Sequence, residues 1–74
     1  MGEVLMISYD RLWIYLLKSD IKASALTKEL GISSATLARM KRNEPVSLSV
    51  IDRICMELDC PIETIVEIKR PKED

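Results

Sequence analysis

A chain of 74 residues, 47% hydrophobic and 31% charged, has room for one folded domain and not two, and its balance excludes a disordered polymer. Histidine is absent, which removes the usual general base, the Ser–His and Cys–His nucleophile pairs and the commonest metal ligand; the chain reads as a non-enzyme needing no cofactor, metal or small-molecule substrate. The net charge of −1 argues for no partner by itself, but residues 18–42 gather Lys18, Lys22, Lys28, Arg39, Lys41 and Arg42 against only Asp20 and Glu29, while the segments on either side are net acidic.

Taken in chain order, the first element is an apolar run, Val4, Leu5, Met6 and Ile7, which predicts an N-terminal arm or short strand over residues 1–7. Ser8 offers a cap for a helix over residues 9–19, with Asp10 in its first turn, where the helix dipole favours an acid. Leu12, Trp13, Leu16 and Leu17 make its apolar stripe, and Trp13 reads as core rather than as a binding platform. A second helix is predicted over residues 23–30, with Leu26 and Leu30 facing inward; Gly31 then suits the left-handed geometry that ends a helix. Ser33 caps a third helix over residues 34–42, with Leu37 and Met40 inward.

Asn43, Glu44 and Pro45 break the pattern, since proline pushes its predecessor out of helical geometry. Ser47 caps a fourth helix carrying Leu48, Ile51, Cys55 and Leu58 at three-and-four spacing, with Ile54 alongside. Pro61 is suited to the first position of a short fifth helix. Residues 65–68 read as a strand or extended tail, and residues 70–74 as a frayed end. The two apolar ends pair either with each other or across a dimer, covering edges that are otherwise a liability. Cys55 and Cys60, five residues apart across a helix end, fit a disulfide poorly and read as free thiols. No apolar run approaches the ~18 residues of a membrane span, so a cytoplasmic protein is expected.

The informative stretch is residues 23–42, ASALTKELGISSATLARMKR. Two short helices joined by a three-residue turn cross steeply only if their inner positions are apolar and the turn permits close approach. Leu26, Leu30, Ile32, Leu37 and Met40 supply the apolar positions, and Gly31 the freedom. The second helix of such a pair projects from the domain, able to lie in a DNA major groove.

These residues, with the following NEPVSLSVIDRICMELDCPIETIV, resemble the Cro/C1-type (XRE) helix-turn-helix family over roughly residues 8–68, most closely its small stand-alone bacterial regulators. The resemblance implies an all-α, five-helix, lambda-repressor-like domain, with short terminal strands as an addition, that binds double-stranded operator DNA as a transcriptional regulator, commonly as a homodimer. By position, Ser34, Ala35 and Arg39 match the family's base-reading places, with Thr36 near enough to reach a base methyl or a phosphate. Ala23 matches a place where the family often has a polar phosphate contact, and Arg42 and Asn43 match places that touch the DNA backbone. Lys22 stands where the family usually has a polar cap, so the second helix is expected to start late, at Ser24, or to be capped by Asp20 or by backbone geometry. Thr27 stands where a small alanine is usual.

Side-chain chemistry gives a separate check. Arg39 is suited to bond guanine O6 and N7 with both prongs, a contact worth about 1–3 kcal/mol of discrimination. Ala35 offers an apolar contact to a thymine methyl, and Ser34 and Thr36 serve any base weakly. Lys22, Lys28, Lys41, Arg42 and Asn43 are suited to phosphates. A second reading stays open: a protein-interaction module on the same scaffold, of the antitoxin or anti-regulator kind, using the acidic residues after Asn43 and the apolar ends.

Overall fold

In the computed structural model, which describes residues 6–70, the chain runs β1 (Met6–Ser8), α1 (Asp10–Lys18), α2 (Ser24–Lys28), α3 (Ser34–Lys41), α4 (Leu48–Leu58), a single 3-10 turn (Ile62–Thr64) and β2 (Glu67–Lys69). The start of the expected arm, residues 1–5, and the expected frayed end at residues 71–74 lie outside the described residues.

The helix starts follow the side chains that cap them. The Ser33 hydroxyl accepts the Thr36 amide at 3.1 Å, and the Ser47 hydroxyl accepts the Val50 amide at 3.4 Å. Ser8 is buried and its hydroxyl accepts the Asp10 amide at 3.2 Å, although α1 itself begins after Tyr9. The second helix is shorter than expected, Ser24–Lys28 rather than residues 23–30. Its leading residue, Ala23, has helical dihedrals and no side-chain cap, so neither Asp20 nor Lys22 closes that end.

The helix ends follow a rule that the sequence reading found only once. Gly31 adopts φ +74° after α2, as expected. The other three helices stop on non-glycine residues in the same left-handed region: Asp20 (φ 59°), Asn43 (φ 58°) and Asp59 (φ 53°). In each, the next residue's amide reaches back five positions, Ile21 to the Leu16 carbonyl (2.9 Å), Glu44 to Arg39 (2.9 Å) and Cys60 to Cys55 (3.1 Å). This is the Schellman closure, which satisfies a carbonyl left open at the helix end and brings together the side chains of the two bonded residues. Asp and Asn tolerate the left-handed well better than other side-chain-bearing residues. Cys55 and Cys60 are both free thiols; burial and the neighbouring Cys55 hold the Cys60 thiol above its ordinary value.

The core consists of Tyr9, Leu12, Leu16, Leu26, Ile32, Leu37, Met40, Ile51, Ile54 and Ile65, with Trp13, Leu30, Cys55 and Leu58 packed partly buried against it. Two expected core positions are corrected. Leu17 is 80% exposed because it stands a further 100° round α1 from Leu16, and Leu48 is 75% exposed at the first position of α4.

The fifth helix is also corrected: among the described residues there are four α-helices, and residues 62–64 make only one 3-10 turn. Pro61 precedes that turn in extended geometry (φ −76°, ψ 164°) instead of opening a helix. The Pro61 and Ile62 carbonyls accept the amides of Thr64 and Ile65 at 3.0 and 2.8 Å, after which the chain must extend to pair. The terminal strands settle the open alternative in favour of pairing within the chain. They are antiparallel, with Met6 opposite Lys69, Ile7 opposite Ile68 and Ser8 opposite Glu67. Arg11 donates to the Glu67 carboxylate (3.1 Å) and the Glu63 carbonyl (3.2 Å), and Lys69 to the Asp10 carboxylate (2.9 Å), so the ribbon is tied to α1.

Candidate nucleic-acid interface

The helix α3 presents two unlike faces. Leu37 and Met40 are buried in the core, and between them the helix leaves Ser34, Ala35 and Arg39 exposed on one side. The Ser33 cap fixes the start of this surface, and the Asn43 closure fixes its end. Thr36 is half-buried and already engaged: its hydroxyl oxygen accepts from Ser33 Oγ at 2.9 Å while its amide donates back to the same atom. Its methyl and hydroxyl are therefore less presented than the two residues before it.

The expected phosphate-binding residues divide into three kinds. Lys22, Lys28 and Lys41 are exposed, with Lys22 and Lys28 bracketing α2 and Lys41 in the last turn of α3. Ala23 is half-buried, packs against the core and has no polar side-chain atom, so it contributes backbone only. Arg42 and Asn43 are exposed but hold partners inside the protein. Arg42 forms a two-pronged contact with Glu44, Nε to Oε2 at 2.8 Å and Nη2 to Oε1 at 3.4 Å. The hydrogen bond to Glu44, reinforced by its charge, holds the Arg42 guanidinium above its ordinary pKa. Asn43 Oδ1 accepts the Tyr9 amide at 3.1 Å.

Tyr9 is the residue that the sequence reading missed at this site. It is 1% exposed, and its hydroxyl donates to the Glu44 carbonyl at 2.8 Å. Together with the Asn43 bond, this clasps the turn that closes α3 to the start of α1. Burial raises the Tyr9 phenol above its ordinary value, with the Val46 amide opposing part of the shift. The signal was weak but present, since a tyrosine in an aromatic-poor chain is an amphipathic side chain that seeks one polar partner when buried.

The turn between α2 and α3 is held from both sides. The Ile32 amide donates to the Leu26 carbonyl at 3.2 Å, and Arg53 of α4 donates to the Leu30 carbonyl at 3.3 Å. Ile32 itself is buried. Thr27, at the place where the related family favours alanine, is half-buried on α2. The α2–turn–α3 unit is thus held at its turn, with one face of α3 exposed and the exposed Lys41 and Arg42 at its end.

Comparison with known proteins agrees with this geometry. A family model described as the Cro/C1-type HTH DNA-binding domain matches residues 11–71. No curated protein matches the chain. Among solved structures, the crystal structure of the transcriptional regulator VanUg, Form II, superposes with a TM-score of 0.87 at 34% identity, covering 95% of this chain and 92% of that one. With α2 and α3 forming the helix-turn-helix and the match spanning α1 to β2, this chain belongs to the Cro/C1-type helix-turn-helix DNA-binding family.

Proposed function

We propose that the protein is a sequence-specific transcriptional regulator that inserts α3 into the major groove of double-stranded operator DNA. The observation that carries this reading is the two-faced α3: a helix anchored by Leu37 and Met40, with Ser34, Ala35 and Arg39 outward and the exposed Lys41 and Arg42 at its end. Arg39 reads a guanine edge, Ala35 a thymine methyl, and Ser34 adds weaker bonds, with Thr36 a lesser contributor. Lys22, Lys28 and Lys41 bind phosphates, joined by Arg42 and Asn43 to the extent that they leave their internal partners; Ala23 contributes only through its backbone. No catalytic step, cofactor or metal enters this reading, and the protein works in the cytoplasm.

A homodimer completes the reading. Two copies present two α3 helices about 34 Å apart, matching half-sites one turn of DNA apart.

Selection of bound sequences from random duplex DNA tests the proposal. A recovered motif with an inverted repeat is the expected result, and Arg39→Ala then loses discrimination at one base pair per half-site, by about ten-fold or more. Recovery of no motif, or competition binding untouched by Arg39→Ala, overturns base reading by α3. Sedimentation of the protein on a single recovered site checks the dimer, and a monomer at DNA-binding concentrations removes it.

A further inference from the structure

An acidic side chain stands beside Arg42, and base reading gives it no task. Glu44 is the third residue beyond α3, and both ends of its backbone are fixed. Its amide donates to the Arg39 carbonyl at 2.9 Å, and its carbonyl accepts the Tyr9 hydroxyl at 2.8 Å. The carboxylate so held meets the Arg42 guanidinium along two of its edges, at 2.8 and 3.4 Å. The hydrogen bond from Arg42, then the charges of Arg42 and Arg39, hold Glu44 below the usual carboxylate range, so it is ionised at neutral pH.

We propose that Glu44 acts as an internal counter-ion that sets the strength of sequence-independent DNA binding, by occupying Arg42 in the free protein. The inference rests on the DNA-binding reading above. Phosphate contacts add affinity for every duplex alike, and each one made releases counter-ions and steepens the salt dependence. An arginine already paired with a carboxylate must exchange that partner for a phosphate, so its net gain on binding is small. The displaced carboxylate, left beside the DNA backbone, also repels it. Glu44 therefore subtracts about one effective phosphate contact from the uniform part of the affinity without touching a base.

The test uses the full chain, Glu44→Gln, Arg42→Ala and the double variant, with a fixed random-sequence duplex titrated across salt concentrations. Glutamine keeps the backbone bonds to Arg39 and Tyr9 and removes only the charge. The expected result is random-duplex binding tightened by up to about five-fold, with a log–log salt slope steeper by about one. Both changes should shrink in the Arg42→Ala background, where only the direct repulsion between the carboxylate and the DNA backbone remains to be removed. Unchanged or weakened binding by Glu44→Gln overturns the counter-ion role and leaves DNA binding standing. A gain of undiminished size without Arg42 overturns the route through Arg42. Failure of the unmodified protein to bind any duplex at low salt removes the DNA-binding reading itself, and the inference with it.

Discussion

Tyr9 shows how much one residue joins. Its amide and hydroxyl reach Asn43 and Glu44, so the start of α1 and the end of α3 are locked by two bonds across more than thirty positions. Tyr9→Phe keeps the ring and removes the hydroxyl, leaving the Glu44 carbonyl without that donor. The expected cost is about 0.5–1.5 kcal/mol, read as a fall of several degrees in Tm. The raised phenol pKa also has a sign. The contribution is fully present below the ordinary tyrosine value of about 10 and is lost as pH rises through the higher folded value. Urea midpoints measured between pH 9 and about 11 should therefore fall more steeply in the unmodified protein than in Tyr9→Phe. Equal slopes would show that the hydroxyl is not held as described.

Elements here are set by their ends. Ser33→Ala removes the oxygen that satisfies the Thr36 amide, with an expected loss of about 1 kcal/mol in chemical denaturation. The left-handed stops separate two effects. Asp59→Gly relieves a side chain held at φ 53°, and a gain of about 0.5 kcal/mol is expected, partly offset by the freer unfolded chain. Asn43→Gly offers the same relief but deletes the acceptor of the Tyr9 amide, so the net change should be destabilising by about 1 kcal/mol. Opposite signs for the two glycine variants are the measurement of interest; a gain in both would mean that the Asn43 bond adds nothing. The same ends explain what was legible. Ser33, Ser47 and Gly31 announce themselves by residue type, whereas Asp20, Asn43 and Asp59 look like ordinary polar loop residues until the backbone is traced.

At the scale of the whole molecule, the terminal ribbon and α1 are fastened by exposed ion pairs, Lys69 with Asp10 and Arg11 with Glu67. The Lys69 bond and charge hold Asp10 below its ordinary pKa. That contribution is present above about pH 4 and is lost as pH falls through the lower folded value. Lys69→Met should accordingly flatten the acid limb of the stability profile and lower the neutral plateau by the same small amount, because exposed pairs contribute little. A limb identical to that of the unmodified protein would place the acid sensitivity elsewhere. DNA affinity should fall steeply with added salt, in proportion to the phosphates neutralised, and a flat titration would contradict the phosphate contacts.

The sequence by itself determined the helix-turn-helix: Leu26, Ile32, Leu37 and Met40 are buried at the positions their spacing indicates, and Gly31 turns the chain between them. It also determined which side chains α3 shows, because helical periodicity assigns a face once the apolar stripe is known. Tertiary structure decided the rest. Whether the terminal strands join each other, how far the chain after Pro61 continues as helix, and which side of α1 leaves Leu17 in water all depend on where distant segments arrive. Arg42 and Asn43 read alike along the chain as backbone-contacting residues and Glu44 as part of a helix break, yet Asn43 meets the Tyr9 amide, Arg42 meets Glu44, and the Glu44 backbone meets the Tyr9 hydroxyl. Spacing along one helix is a local quantity, but a hydrogen-bond partner more than thirty positions away exists only after the chain has closed upon itself.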